Sequence, residues 1–254
     1  MSCCGFPLHV RNSSTPRPHG FTLIELLTVI AIIAILMGLL FPALNSAKTS
    51  SRKAQARSDE TSLVTACMAY NRDYGVYPLN STNANSGSPA GGGWDTCYGD
   101  PGPHRLYSSA DLCNILRAVA DTAWNTNNQL NTRQVVYFEP NIARNATNPR
   151  GGLVTASNGV TGPAGNQIPY GAFVDPWGEE YIVFLDANYD GSLSIPPPNE
   201  PYTEAAAYWF YSNSPPNSIN VNSGVAAVSL GADLQWGTAG NSIFQGSDDI
   251  ASWQ

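Results

Sequence analysis

The chain has 254 residues, enough to bury a core in one or two domains. Only 12 % are charged and 43 % are hydrophobic, which excludes a disordered polyelectrolyte. The formal net charge of −7 argues against a nucleic-acid partner, which would need a basic patch. Gly 23 and Pro 19 imply long loops.

The first element is an apolar helix. Residues 21–44 form a block of 24 residues, about 36 Å long at about 1.5 Å per residue. That length crosses a bilayer core of about 30 Å with some tilt. An ordinary signal peptide has a shorter apolar region followed by a small-x-small cleavage site, and no such site follows Leu44. One acid, Glu25, sits inside the block. A carboxylate there is unfavourable unless paired, so it is a functional candidate. Pro42 either kinks this helix or ends the membrane span.

The segment Gly20-Phe21-Thr22-Leu23-Ile24-Glu25 and the unbroken apolar run through Leu36 resemble the type IV pilin and pseudopilin superfamily. Within it the chain resembles the major pseudopilin of type II secretion. The resemblance implies that residues 1–20 are a leader removed by a prepilin peptidase after Gly20. It implies N-methylation of Phe21, and pairing of Glu25 with a neighbouring subunit's amino terminus. It also implies a single-pass protein of the bacterial inner membrane, N-terminus cytoplasmic and head periplasmic. Its partners would be its own copies, other pseudopilins and an inner-membrane assembly platform. The bare charge count points the other way. Arg11 and Arg17 precede the span, whereas Lys48, Arg52, Lys53 and Arg57 follow it.

Residues 45–75 continue the helix as an amphipathic segment. Leu63, Cys67, Tyr70 and Tyr74 fall on one apolar face, leaving Arg52, Asp59, Glu60 and Arg72 to lie elsewhere. Gly75 is a natural stop, and the stretch from Tyr70 to Pro78 resembles the helix-to-loop junction of type II secretion pseudopilins.

Residues 76–170 read as a loop-rich insertion. An exposed loop covers 80–104, and a short helix covers 110–124, with Leu112, Ile115, Leu116 and Val119 on one face. Strands are expected at 134–138, 180–185, 206–211 and 225–230. The fold class is therefore α+β: a long N-terminal helix, its first half membrane-spanning, packed on a small antiparallel sheet head. Cys3 and Cys4 fall in the leader. Of the rest, Cys97 and Cys113 could pair, while Cys67 reads as a buried thiol.

Residues 171–254 form the C-terminal β-sheet region. From Gly151 onward there are ten acids and no Lys or Arg, so the acids are either dispersed in solvent or bound to metal. His104 is the lone histidine outside the leader, which weighs against multi-His zinc or His-based catalysis. Asp186, Asn188 and Asp190, followed by Gly191, match the start of a calcium loop, but Pro197 stands where the bidentate Glu belongs. An Asx-rich hairpin turn accounts for the same residues. The run Ser229-Leu230-Gly231-Ala232-Asp233 with Asp248-Asp249 resembles the C-terminal calcium loop of the major pseudopilin. That resemblance implies calcium ligation by Asp233, Asp248 and Asp249 with the Leu230 carbonyl. Asp175-Pro176-Trp177-Gly178 matches the same family's link into the sheet.

These features lead to a structural subunit of a periplasmic filament that drives type II-like protein secretion, and not to an enzyme. Three rivals stand beside it. One is a type IV pilin for adhesion or DNA uptake, and another is a signal-anchored hydrolase with a carboxylate pair. The third is a signal-anchored carbohydrate-binding head using Trp94, Trp177 or Trp236.

Overall fold

A computed structural model describes residues 20–79, 95–99, 107–120, 125–195, 219–237 and 247–253. The chain divides into two units, Met1–Lys48 and Thr49–Gln254. In the first unit, the side chains from Gly20 to Lys48 are exposed. Helix α1, Leu23–Tyr74, runs through Pro42 without ending there, so this proline does not terminate the helix. Among the described residues, α1 is the helix long and apolar enough to cross a membrane.

In the second unit, the C-terminal part of α1 packs through Ala56, Glu60, Leu63, Ala66, Cys67 and Tyr70. Spacings of three and four place these residues on one helical face. Tyr74 joins the edge of that core, stacked on Tyr70 at 4.5 Å between ring centroids. One expectation fails here. Glu60, read as lying off the apolar face, is on it and 1 % exposed.

Four strands form the central antiparallel sheet: β1 (Thr96–Tyr98), β6 (Ile182–Leu185), β9 (Val225–Ser229) and β10 (Ile250–Ala251), in the order β1-β6-β9-β10. All four residues of β6 and all five of β9 are buried, so both faces of the sheet are covered. Val183, Leu185, Val225 and Ala227 face α1. Ile182, Phe184, Ala226 and Val228 face a second cluster with Leu193, Ile195 and Trp236. The period-two alternation divides one strand between two cores.

Among the described residues of the second unit there are also three small antiparallel pairs: β2 (Gly152–Leu153) with β5 (Phe173–Val174), β3 (Val160–Thr161) with β4 (Gln167–Ile168), and β7 (Leu193–Ile195) with β8 (Ile219–Val221). The expected strands at 180–185 and 225–230 are present as β6 and β9. The one expected at 206–211 lies outside the described residues.

Three expectations need correction. Part of the segment read as a loop over 80–104 is strand β1, and β1 pairs with β6 from Thr96↔Leu185 to Tyr98↔Val183. The short helix is α2, Ser109–Leu116, and stops earlier than expected. Ala118 takes a left-handed conformation at φ 55°, and the Val119 N–H reaches back to the Asn114 carbonyl at 2.9 Å. This is a helix-ending motif that normally uses glycine, so the sequence carries no visible stop there.

Residues 134–138 form no strand. Tyr137 and Phe138 both donate to the Leu116 carbonyl, at 2.8 and 3.3 Å. Asn131 brackets Val135, accepting from its N–H at 3.1 Å and donating to its carbonyl at 2.7 Å. A helix end and an amide side chain replace the ladder.

Cys67, Cys97 and Cys113 are thiols, and no disulfide links Cys97 to Cys113. Cys113 belongs to the α1-facing core and Cys97 packs on the other face of the sheet, which separates them. Burial raises the Cys67 and Cys113 thiols far above their usual range.

Glu60 yields a stability prediction. Burial pushes its carboxyl from 4.5 up to about 9, against weaker opposing help from the Ser229 N–H. The folded state therefore holds a proton that the unfolded chain releases above about pH 4.5. Stability from this group is fully present below that pH and is lost as pH rises toward about 9. Thermal melting of fragment 49–254 should show a falling melting temperature between pH 7 and 9, and Glu60→Gln should flatten that slope. An unchanged slope in the variant would contradict the burial of this acid.

Candidate functional site

Two regions carry functional candidates. In the first, Gly20 and Phe21 precede α1, and Phe21 is 75 % exposed. Glu25 is not bare. Its Oε2 accepts from the Thr22 N–H at 2.8 Å and the Thr22 hydroxyl at 2.6 Å, while its own N–H donates to Thr22 Oγ1 at 3.3 Å. This reciprocal cap satisfies amides at the start of the helix. A carboxylate in the first turn also sits well against the helix dipole. The sequence pattern singled out Glu25 but gave Thr22 no role.

The second region is acidic. Asp175, Glu179, Glu180, Asp186 and Asp249 are 0, 0, 1, 3 and 6 % exposed, so the expectation of solvent or metal was too narrow. Backbone amides and hydroxyls serve these carboxylates instead. Asp175 Oδ1 accepts from the N–H groups of Trp177, Gly178 and Glu179 at 2.9, 2.7 and 3.1 Å. Its Oδ2 accepts from the Ser229 hydroxyl at 2.6 Å. Burial outweighs these donors and pushes Asp175 up to about 6, which still leaves it ionised at neutral pH. Gly178 must be glycine, since its φ is 101° and a Cβ would meet the Pro149 carbonyl at 2.9 Å.

Glu180 Oε2 accepts from the Ser109 N–H at 2.7 Å and from the hydroxyls of Ser108 and Ser109 at 2.9 and 2.7 Å, which places its charge at the α2 N-terminus. Glu179 accepts from the Ala164 N–H, and burial raises its carboxyl.

At the Asp186 loop, Oδ2 accepts from the Gly191 N–H at 2.9 Å and Oδ1 from the Asp190 N–H at 3.3 Å. Asn188 Oδ1 accepts from the Asp190 N–H at 3.0 Å, and Asp190 Oδ1 from the Ser192 N–H at 2.8 Å. These are Asx-turn contacts inside the β6–β7 connection.

At the C-terminal loop, Asp248 Oδ2 accepts from the N–H groups of Ala232 and Asp233, the latter at 3.2 Å. Asp233 Oδ1 accepts from the Gln235 N–H at 2.9 Å, and Leu230 is buried at the end of β9. Asp249 Oδ2 accepts from the Gly237 N–H, while its buried Oδ1 has no hydrogen-bond partner. Burial, then the charges of Asp248 and Asp233, push Asp249 up to about 7. The carboxylates of Asp248 and Asp249 thus reach the turn that carries Asp233, and the orphaned oxygen is of the type a hard cation takes. Three of their carboxylate oxygens, Asp248 Oδ2, Asp233 Oδ1 and Asp249 Oδ2, are already committed to amides. Among the described residues, no group of three or more His, Cys, Asp or Glu is placed to hold a metal ion.

Trp177 and Trp236 are 7 % and 9 % exposed and lie in the two cores, so neither offers a sugar-stacking face. Trp94 and His104 lie outside the described residues.

Comparison with known proteins bears on the N-terminal region. Residues 16–41 match the prokaryotic N-terminal methylation motif. Over 73 residues the chain is 36 % identical to the type II secretion system core protein G of Escherichia coli (strain K12), covering 29 % of this chain and 50 % of that protein. The match thus spans about half the length of that relative. No solved structure matches.

Proposed function

From a chain that carries a prepilin-type methylation motif and is distantly homologous to the type II secretion pseudopilin G, we propose a structural subunit of a short periplasmic filament that serves type II-like protein secretion. Chains of the pilin and pseudopilin kind are structural and not enzymes. The observation that carries the reading is the unbroken motif joined to an exposed apolar helix. A prepilin peptidase cuts after Gly20, Phe21 becomes the N-methylated terminus, and residues 21–44 hold the subunit in the inner membrane. The head then faces the periplasm, and the assembly platform and other pseudopilins are the partners.

Assembly gives Glu25 its role. Its carboxylate meets the new amino terminus of a neighbouring subunit in low dielectric, where each charge alone would be costly. Before assembly, Thr22 supplies substitute donors to the same oxygen.

Calcium in the head is part of this proposal. Asp233, Asp248 and Asp249 would hold it, and the orphaned Asp249 Oδ1 supports the assignment. The ion would neutralise acids that have no cation after Arg150 and would tie the C-terminal strand to the turn after β9.

Three outcomes test the proposal. Mass spectrometry of the protein from membranes containing active peptidase should show a mature chain beginning at N-methyl-Phe21, and an intact leader there would contradict it. Glu25→Ala should insert into the membrane normally and fail to form filaments by electron microscopy. Fragment 49–254 should melt higher with calcium than with chelator, by about 2.7 kcal/mol of added stability at a hundredfold excess over Kd. Asp249→Ala should remove that difference, whereas Asp186→Ala should not.

A further inference from the structure

Four cations occupy ten residues directly after the apolar block: Lys48, Arg52, Lys53 and Arg57. Helix α1 continues unbroken through all of them. No acid lies between Glu25 and Asp59. Lys48, Arg52 and Arg57 are exposed, and Lys53 is half-buried. Among the described residues, the ion pair within 4.0 Å is Arg72–Asp73, so no carboxylate neutralises any of the four at close range. Arg57 acts at longer range on Glu60, but that acid is protonated at neutral pH.

We propose that this basic collar binds phospholipids with anionic headgroups at the bilayer surface where the apolar span ends. The proposal rests on the membrane reading above. The uncharged stretch 26–44 has 19 residues, about 29 Å of helix, which matches a bilayer core of about 30 Å. Lys48 then stands about one turn beyond the core, and Arg52 and Lys53 about one turn further. Long basic side chains reach back along the helix to place their charge among the phosphates. Arg57 lies farther out, where screening over about 8 Å weakens it.

Each cation near an anionic membrane surface strengthens binding by about fivefold, equivalent to about 1 kcal/mol. The hydroxyls of Thr49, Ser50 and Ser51 lie between Lys48 and Arg52, with Ser46 just before them, and suit a polar interface. The collar also bears on the topology conflict. Positive charge following a span disfavours its export, and anionic headgroups on that side give the charge a counterpart.

The test uses the full chain in nanodiscs of mixed phosphatidylcholine and phosphatidylglycerol. After release, native mass spectrometry counts the lipids retained on the protein. The wild type should retain phosphatidylglycerol several-fold above its share of the bulk lipid, and added salt should reduce the excess. The combined variant Lys48→Gln, Arg52→Gln, Lys53→Gln and Arg57→Gln should retain lipid at the bulk ratio, with the melting temperature of the head unchanged. Retention at the bulk ratio by the wild type, or an excess that survives in the variant, overturns the collar while leaving the membrane reading intact. A chain that stays outside the nanodisc overturns both. Collar-dependent cross-linking between copies in pure phosphatidylcholine, without lipid preference in the mixture, would assign the collar to a second copy instead.

Discussion

Ser229 joins the long helix to the sheet and to the turn after β5. Its N–H donates to Glu60 Oε1 at 3.1 Å and its hydroxyl to Asp175 Oδ2 at 2.6 Å. Two acids meet one residue in the interior, and they can do so because they differ in charge. Glu60 is neutral at pH 7 and Asp175 is ionised. Two buried carboxylates ionised together would repel, so the environment splits their titration. Beside them Tyr181 donates to Asp59 at 2.9 Å, a second tie between α1 and the sheet. Removing one member would strand its partner in the core, which costs about 1–3 kcal/mol.

The same device recurs through the second unit. This chain has few cations, and none after Arg150, and its interior acids turn to other donors. They take backbone amides and hydroxyls as donors. Asp175 organises the turn leading into β6, Glu180 caps α2, and Asp248 and Asp249 hold the turn after β9 to the last strand. Short strands and irregular loops leave many amides outside regular ladders, and buried amides must be paired. A carboxylate can serve several at once, as Asp175 does. The acidity of the C-terminal half thus follows partly from its loop-rich fold.

The two units answer different requirements. The prepilin motif and the exposed apolar helix lie in the first unit, where they concern processing, membrane and neighbouring subunits. The second unit is built from contacts within the chain, and the similarity to core protein G covers 29 % of the sequence. The described parts of segment 76–170 are woven into this unit. It supplies β1 to the central sheet and α2 to the α1-facing core.

The sequence by itself determined what depends on local pattern. The length of the apolar block, the motif around Gly20 and Glu25, the face formed by Leu63, Cys67 and Tyr70, and strands β6 and β9 were all legible, because periodicity and β-branched runs act within a few residues. Only the tertiary structure decided matters that depend on remote partners. Glu60 looked like a solvent residue, and it is buried because an amide 169 residues away receives it. The acids after Gly151 looked solvated or metal-bound, since nothing local shows which amides turn toward them. Ala118 ends a helix without a glycine, and residues 134–138 resemble a strand but find a helix end in place of a ladder. Cys97 and Cys113 could have paired on sequence grounds, yet the sheet places them on opposite faces. In each case the deciding free energy comes from burial and from the partner met there, and neither is present until the chain has folded.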